Sequence, residues 1–299
     1  MKKMIEQLRQ YDSKLNPIYQ DTQDILMLSS SSAGNSLVIK PYRTLIDLGL
    51  PYKYYSNELL MQINYICLTH EHGDHLNVAA MNFIMRDYPH IQFIMRRNLY
   101  DKVVSKFNEK STYQLKTNVI TIIESNQTIT LDLPKDDVLI ITGYKTNHRT
   151  IENTAYTLKG SVDVEGYEMP HILYASDLIS TQDLPQDESF ELLFLEANYD
   201  EEQLLERVKV LIEAKQPHLH QHQYTMLVKQ MKKLDDEFDA ERLNALLTDG
   251  IFAPKEQGNL RHLSESQAFH YMRRHLTDDG RFIPLHASDE LGTFNQNKQ

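Results

Sequence analysis

Apolar and polar positions alternate in short bursts through the first two thirds of the chain, and these bursts predict strands. Residues 25–28, 36–40 and 43–47 read as strands, parted by a Ser-rich turn at 29–32 and by Pro41. Residues 64–68 form a further apolar strand, and 91–95 a buried one. Between them, 76–88 has apolar positions at helical spacing. Several β-type runs fill 119–144, broken at Asn126, Pro134 and Asp136-Asp137, and 154–158, 172–175 and 192–195 continue the pattern. The character then changes. From Asp200 to about Leu247, segments rich in Glu, Lys and Leu have helical spacing and predict a helical insert at about 200–258. A helix over 265–275 leads to a last strand at 281–285, and residues 1–12 read as a short amphipathic helix. Strands in hairpin-like clusters with helices interspersed predict an α+β protein of stacked layers rather than a simple βαβ alternation. No repeat or linker divides the chain, so a single domain over 1–299 is expected.

Composition adds few restrictions. With 41% hydrophobic and 24% charged residues, the chain can bury a sizeable core without staples. Its single Cys, Cys67, excludes an internal disulfide and fits a reducing compartment. The start, Met1-Lys2-Lys3-Met4, is basic, but residues 5–20 are too polar for a signal-peptide core, and no apolar run approaches the ~20 residues of a membrane span. A soluble, cytoplasmic protein without membrane partners is expected. The formal charge of −11 opposes salt-driven gripping of duplex DNA. It leaves a nuclease open, because bound metal ions bring their own positive charge to the scissile phosphate. The basic stretch Arg96-Arg97, Lys102, Lys106 and Lys110 reads as the solvated face of a helix, ahead of a nucleic-acid contact.

Chemistry concentrates in Thr69-His70-Glu71-His72-Gly73-Asp74-His75, directly after an apolar strand. Residues two apart in an extended loop point the same way, so His70 and His72 can grip one ion. Asp74 and His75 then face a second as the chain turns into the following helix. Imidazole and carboxylate suit zinc, manganese or iron, and no thiolate cage is present. A lone His is ordinarily a satisfied core or surface residue; three with an Asp in six residues leave little room for that.

His70-x-His72-x-Asp74-His75 resembles the signature of the metallo-β-lactamase fold superfamily, an αββα sandwich with metals at one edge of its two sheets. Further parts occur in the expected order. Thr44-Leu45-Ile46-Asp47-Leu48-Gly49 is similar to the early strand ending in a structural Asp. Asn147-His148, Ala175-Ser176-Asp177 and Pro284-Leu285-His286-Ala287-Ser288 match the remaining ligand positions. The resemblance implies a first metal on His70, His72 and His148 and a second on Asp74, His75 and His286, with Asp177 bridging. The ions would be two divalent cations, zinc or manganese, with iron a possibility. Flavodiiron oxygen reductases carry an acidic residue where this chain has His72. Insertions of the β-CASP type need more chain than lies between Asp177 and His286, and periplasmic β-lactamases need a signal peptide. Within the superfamily the chain resembles the YycJ-like exonuclease branch. The residues that carry this are Ser31-Ser32-Ala33-Gly34-Asn35-Ser36, Leu195-Glu196-Ala197-Asn198-Tyr199-Asp200 and Arg261-His262-Leu263-Ser264. Arg261 replaces that branch's Gly, Ala287 replaces its Leu, and the segment from Asp200 to His262 is longer. Pro217-His218-Leu219-His220-Gln221-His222 in that segment looks like a ligand cluster and reads as a loop or helix start, because the main set is complete without it.

The resemblance implies a phosphodiesterase, with Asp74 among its catalytic residues and a metal-bridging hydroxide attacking phosphorus in line. All seven ligands are then occupied, so the proton for the leaving alkoxide falls to His262. Glu196 either orients His262 as the acidic member of a dyad or is a strand-end carboxylate in a surface salt bridge. Nucleic acid is the expected substrate. The alternatives are a small phosphodiester such as a cyclic nucleotide, or dioxygenase chemistry at a single iron.

Overall fold

The computed structural model describes residues 25–31, 34–134, 137–148, 151–160, 169–200 and 262–286, with single positions between 203 and 229. The expected helix at 1–12, nearly all of the insert at 200–258, and His218, His220 and His222 lie outside the described residues.

Among the described residues, twelve strands form two six-stranded sheets. The first follows chain order through β1 (Ile25–Ser31), β2 (Gly34–Ile39), β3 (Thr44–Ile46), β4 (Tyr65–Cys67), β5 (Gln92–Arg96) and β6 (Ile120–Ile123). It is antiparallel from β1 to β3 and parallel from β3 to β6. Parallel neighbours need crossovers, supplied by α1 (Asn57–Leu60), α2 (Val78–Asp87) and α3 (Arg97–Asn108). The second sheet contains β7 (Gln127–Asp132), β8 (Val138–His148), β9 (Ile151–Gly160), β10 (Ile172–Ala175), β11 (Phe190–Glu196) and β12 (Leu276–Leu285), with α4 (Glu265–His275) before the last. It is antiparallel from β7 to β10 and parallel from β10 to β12.

Alternation along the strands sorts side chains into layers. Leu37 and Ile39 join Leu139, Ile141, Tyr156, Leu158, Phe194 and Ile283 in a core between the sheets. Val38, on the opposite face of β2, joins Leu45, Ile66 and Phe93 against Met81, Ile84 and Met85 of α2 and Val103 and Phe107 of α3. On the far side, Leu173, Leu193 and Leu195 pack under Ala268, Phe269 and Tyr271 of α4. Helices therefore cover the outer face of each sheet.

Three expectations are corrected. The Ser-rich segment is not a turn as far as Ser31: β1 continues, pairing Ser29 with Ser36 and Ser31 with Gly34. The helix expected from residue 76 begins at Val78, because Asn77 caps it by accepting the Ala80 N–H, while Leu76 bridges to Leu48. The last strand begins five residues early, at Leu276. Sheet one also contains the βαβ run that stacked layers alone do not imply.

Candidate metal centre

Open α/β sheets gather ligands beyond the carboxyl ends of their parallel strands, and that is where the candidate residues meet. Asp47 follows β3 with φ 62°. Its carboxylate accepts the Thr69 N–H at 2.9 Å and the Thr69 hydroxyl at 2.9–3.0 Å, and bonds His75 Nδ1 at 2.7 Å. His75 is thereby fixed with Nε2 inward, 3.1 Å from Asp177 Oδ2 and 3.8 Å from Asp74 Oδ2. The loop lies close against its neighbours: Asn35 N donates to Asp74 O at 2.6 Å. A Cβ on Gly49 would stand 1.8 Å from that same carbonyl, so only glycine fits there.

The second sheet contributes from three strand ends. His148 ends β8. Asp177 follows β10 and His286 follows β12, both at φ 54°, a strained conformation for residues with a side chain. Asn153 Nδ2 holds the Asp177 turn by donating to Ser176 O (2.6 Å) and Asp177 O (3.1 Å). The turn at His286 is held by Asn198 Nδ2, which donates to its carbonyl at 2.8 Å, and by its own N–H on Ser30 Oγ at 3.1 Å.

Ligand atoms of His70, His72, His148 and Asp177 lie within 4.8 Å of one another, and so do those of Asp74, His75 and His286. His70 Nε2 is 3.0 Å from His72 Nδ1 and 3.2 Å from Asp177 Oδ2. Asp177 Oδ1 is 3.4 Å from His286 Nδ1, so this one carboxylate faces both groups. Burial lowers His148 to about 3 and lowers His72 as well, which keeps both rings neutral, as a ligand must be. Burial also opposes charge on His75, but Asp177 and Asp47 outweigh it and hold it well above the ordinary value. Asp177, buried, is held well below the ordinary carboxylate value by His286 and His75. Three buried atoms in this cluster, His148 Nδ1, Asp177 Oδ1 and His286 Nε2, lack hydrogen-bond partners. Unpaired buried polar atoms are costly, and a cation among imidazole and carboxylate donors would satisfy all three. The residues fit a pair of divalent ions.

Glu196 ends β11 fully buried, which overturns the surface salt-bridge reading. Its Oε2 accepts the Leu178 N–H at 2.6 Å, and its Oε1 bonds His262 Nδ1 at 2.5 Å. His262 stands two residues before Ser264, which caps α4 with a capping box closed by Gln267. Its ring reaches 3.6 Å from Asp177 Oδ1, with the His148 and His286 rings 5.0 and 5.4 Å away. Burial raises Glu196, but His262 more than offsets this and the net shift is downward. Asp177, Glu196, His262 and His286 are also close enough to share an ion themselves.

Sequence reasoning missed Asn153, which no motif marks, and Lys106. Lys106 is no free member of a solvated face: it donates to Glu71 O at 2.8 Å, between His70 and His72. Arg96, expected on the same face, is buried beside Glu152.

No protein-family model matches the chain, and no curated protein matches it. Among solved structures, it is similar to the metallo-β-lactamase fold protein YhfI from Bacillus subtilis (TM-score 0.37, 16% identity, 58% of this chain and 70% of that one). It is also similar to the metal-soaked Flv1 flavodiiron core from Synechocystis (TM-score 0.35, 13% identity, 59% and 42%). Likenesses this distant carry no argument. The two sheets, their order and their helical covers make the architecture an αββα sandwich, the fold that the sequence resemblance leads one to expect. No helix among the described residues is long and apolar enough to cross a membrane.

Proposed function

We propose that the chain is a dinuclear-metal-dependent phosphodiesterase of the YycJ-like exonuclease branch, acting on DNA or RNA in the cytoplasm. The observation that carries this reading is the buried Glu196 backing His262 at the edge of the ligand cluster. In the first ligand group His70, His72 and His148 would hold one ion; in the second Asp74, His75 and His286 would hold the other, with Asp177 between them. Bound there, zinc or manganese supplies an acidified water and Lewis-acid charge. Asp47 keeps the His75 ring oriented throughout. Glu196 accepts the Nδ1–H of His262 and stabilises the doubly protonated ring, whose Nε2–H passes its proton to the leaving oxygen. A sugar alkoxide needs that proton. Oxidation at a single iron has no use for it, and the two ligand groups exceed what one ion requires.

The charge of −11 favours a second reading, a small phosphodiester such as a cyclic nucleotide. Protein purified with manganese or zinc should be assayed on labelled single- and double-stranded DNA, RNA and cyclic dinucleotides. Cleavage of polynucleotides supports the nuclease, cleavage of the cyclic substrates alone supports the second reading, and cleavage of none overturns both.

A further inference from the structure

The ligand loop after β4 is anchored on either side of its middle. Asp47 accepts the Thr69 N–H and hydroxyl. The His72 carbonyl accepts the His75 and Leu76 N–H groups at 3.0 and 2.7 Å, and the Asp74 carbonyl accepts the Asn35 N–H at 2.6 Å. Between these ties lies Glu71, whose peptide joins the candidate ligands His70 and His72. Packing gives little support there: a Cβ on Gly73 would meet nothing within 4 Å, and a cavity of about 380 Å³ opens against Glu71, His72 and Gly73. What holds Glu71 is a side chain from outside the loop. Its carbonyl accepts the Lys106 ammonium at 2.8 Å, a hydrogen bond with a charged donor and so of the stronger kind. The donor stands on a firm support. Lys106 is half-buried in α3, and Leu99, Val103 and Phe107 of that helix are buried against the first sheet.

We propose that Lys106 is a positioning residue for the first ion: by fixing the peptide between His70 and His72, it sets the bite of that pair. The inference rests on the two-ion reading of the centre and not on its substrate. Two nitrogens bound tetrahedrally at about 2.0–2.1 Å stand about 3.3–3.4 Å apart. His70 Nε2 and His72 Nδ1 are 3.0 Å apart, so the pair is held close to a ligating geometry. A Glu71 carbonyl turned away from Lys106 would rotate the peptide that leads into His72 and carry its ring out of that approach. The sign of the effect separates position from charge. By charge alone an ammonium repels a nearby dication, so its loss would tighten metal binding. By position, its loss weakens binding. Lys102, one turn earlier on α3, is the internal comparison. It is 54% exposed and stands 3.7 Å from Glu71 Oε2, so it meets the side chain without holding the peptide.

The test is cobalt(II) titration of metal-stripped full-length protein, read by visible absorption, in wild type and in two backgrounds that each keep one ligand group. His286→Ala keeps the first group and His148→Ala the second. Lys106→Met retains most of the stem and removes the donor. It should lower cobalt affinity about 10-fold at the first group, shift the absorption bands there, and leave the second group unchanged. Lys106→Arg should restore the first group, and Lys102→Met should not weaken it. Unchanged or tighter binding at the first group in Lys106→Met, or the same loss in Lys102→Met, overturns the inference. So does an equal loss at both groups, which would make Lys106 a prop of the fold, in keeping with its place in the last turn of α3. If wild type binds no cobalt, the two-ion reading falls and the inference with it. If wild type binds two ions and Lys106→Met leaves both affinities alone, the reading stands and only the inference falls.

Discussion

The first sheet presents four candidate ligands within six residues, all in the loop after β4; the second presents three, one at each of three separate strand ends. The first set is held locally. Asp47 bonds Thr69 and His75, and Asn35 bonds the Asp74 carbonyl. The second set is held by the sheet itself. His148, Asp177 and His286 are far apart in sequence and meet because β8, β10 and β12 end near one edge, with two of the three residues at positive φ. The difference teaches that a chelating loop can be placed by its own hydrogen bonds, whereas its complement depends on the whole domain being folded. Asp177 joins the two halves, since its carboxylate contacts His70 and His75 from the first and His286 from the second.

The largest expected effect breaks the local half. His72→Ala should remove one ion and nearly all hydrolysis while circular dichroism stays at wild type, because His72 lies on a loop outside the sheet cores. Loss of the folded signal would make the loop part of the core's stability and blur the contrast between the halves.

Next is the acid that the second half supports. His262→Ala should slow nucleic-acid cleavage by about 10²–10⁴-fold. With bis-p-nitrophenyl phosphate the departing phenolate needs no proton, so most activity should remain. Equal losses on the two substrates would remove His262 from the acid role. Lost metal would make it a ligand, as its place near Asp177 and His286 also permits.

Asp47→Ala tests how the local half is held. His75 would lose the carboxylate on Nδ1, and metal affinity at the second group should fall about 10–100-fold. The Thr69 N–H would also lose its partner, and that should cost about 1–3 kcal/mol in chemical unfolding. Unchanged affinity in a metal titration would show that the loop needs no such backing. The smallest effect is Glu196→Gln, which should repeat the selectivity of His262→Ala more weakly, since the amide still bonds the imidazole but adds no charge.

The same contrast explains what could be read in advance. The six-residue cluster was legible because its ligands share one strand end and alternate in direction. The parallel strands 64–68, 91–95 and 172–175 were legible because, buried on both faces, they are continuous apolar runs. His148, Asp177 and His286 had no local signature and were located only by resemblance to a family. The basic stretch from Arg96 reads as the solvated face of a helix, but nothing in that spacing says that the helix connects two parallel strands, so the βαβ run of the first sheet was missed. Lys106 was misread for the same cause, since a spacing rule cannot show that Glu71 O stands opposite it. The Ser-rich strand end was missed because serines signal turns, and here β2 pairs with them.

The most direct test of a centre assembled from both sheets is the metal content of purified, metal-replete protein by elemental mass spectrometry. Wild type should hold about two ions per chain, and His148→Ala and His286→Ala about one each, in keeping with the two-ion mechanism. A wild-type protein that holds one ion or none, or variants that keep both, would contradict it.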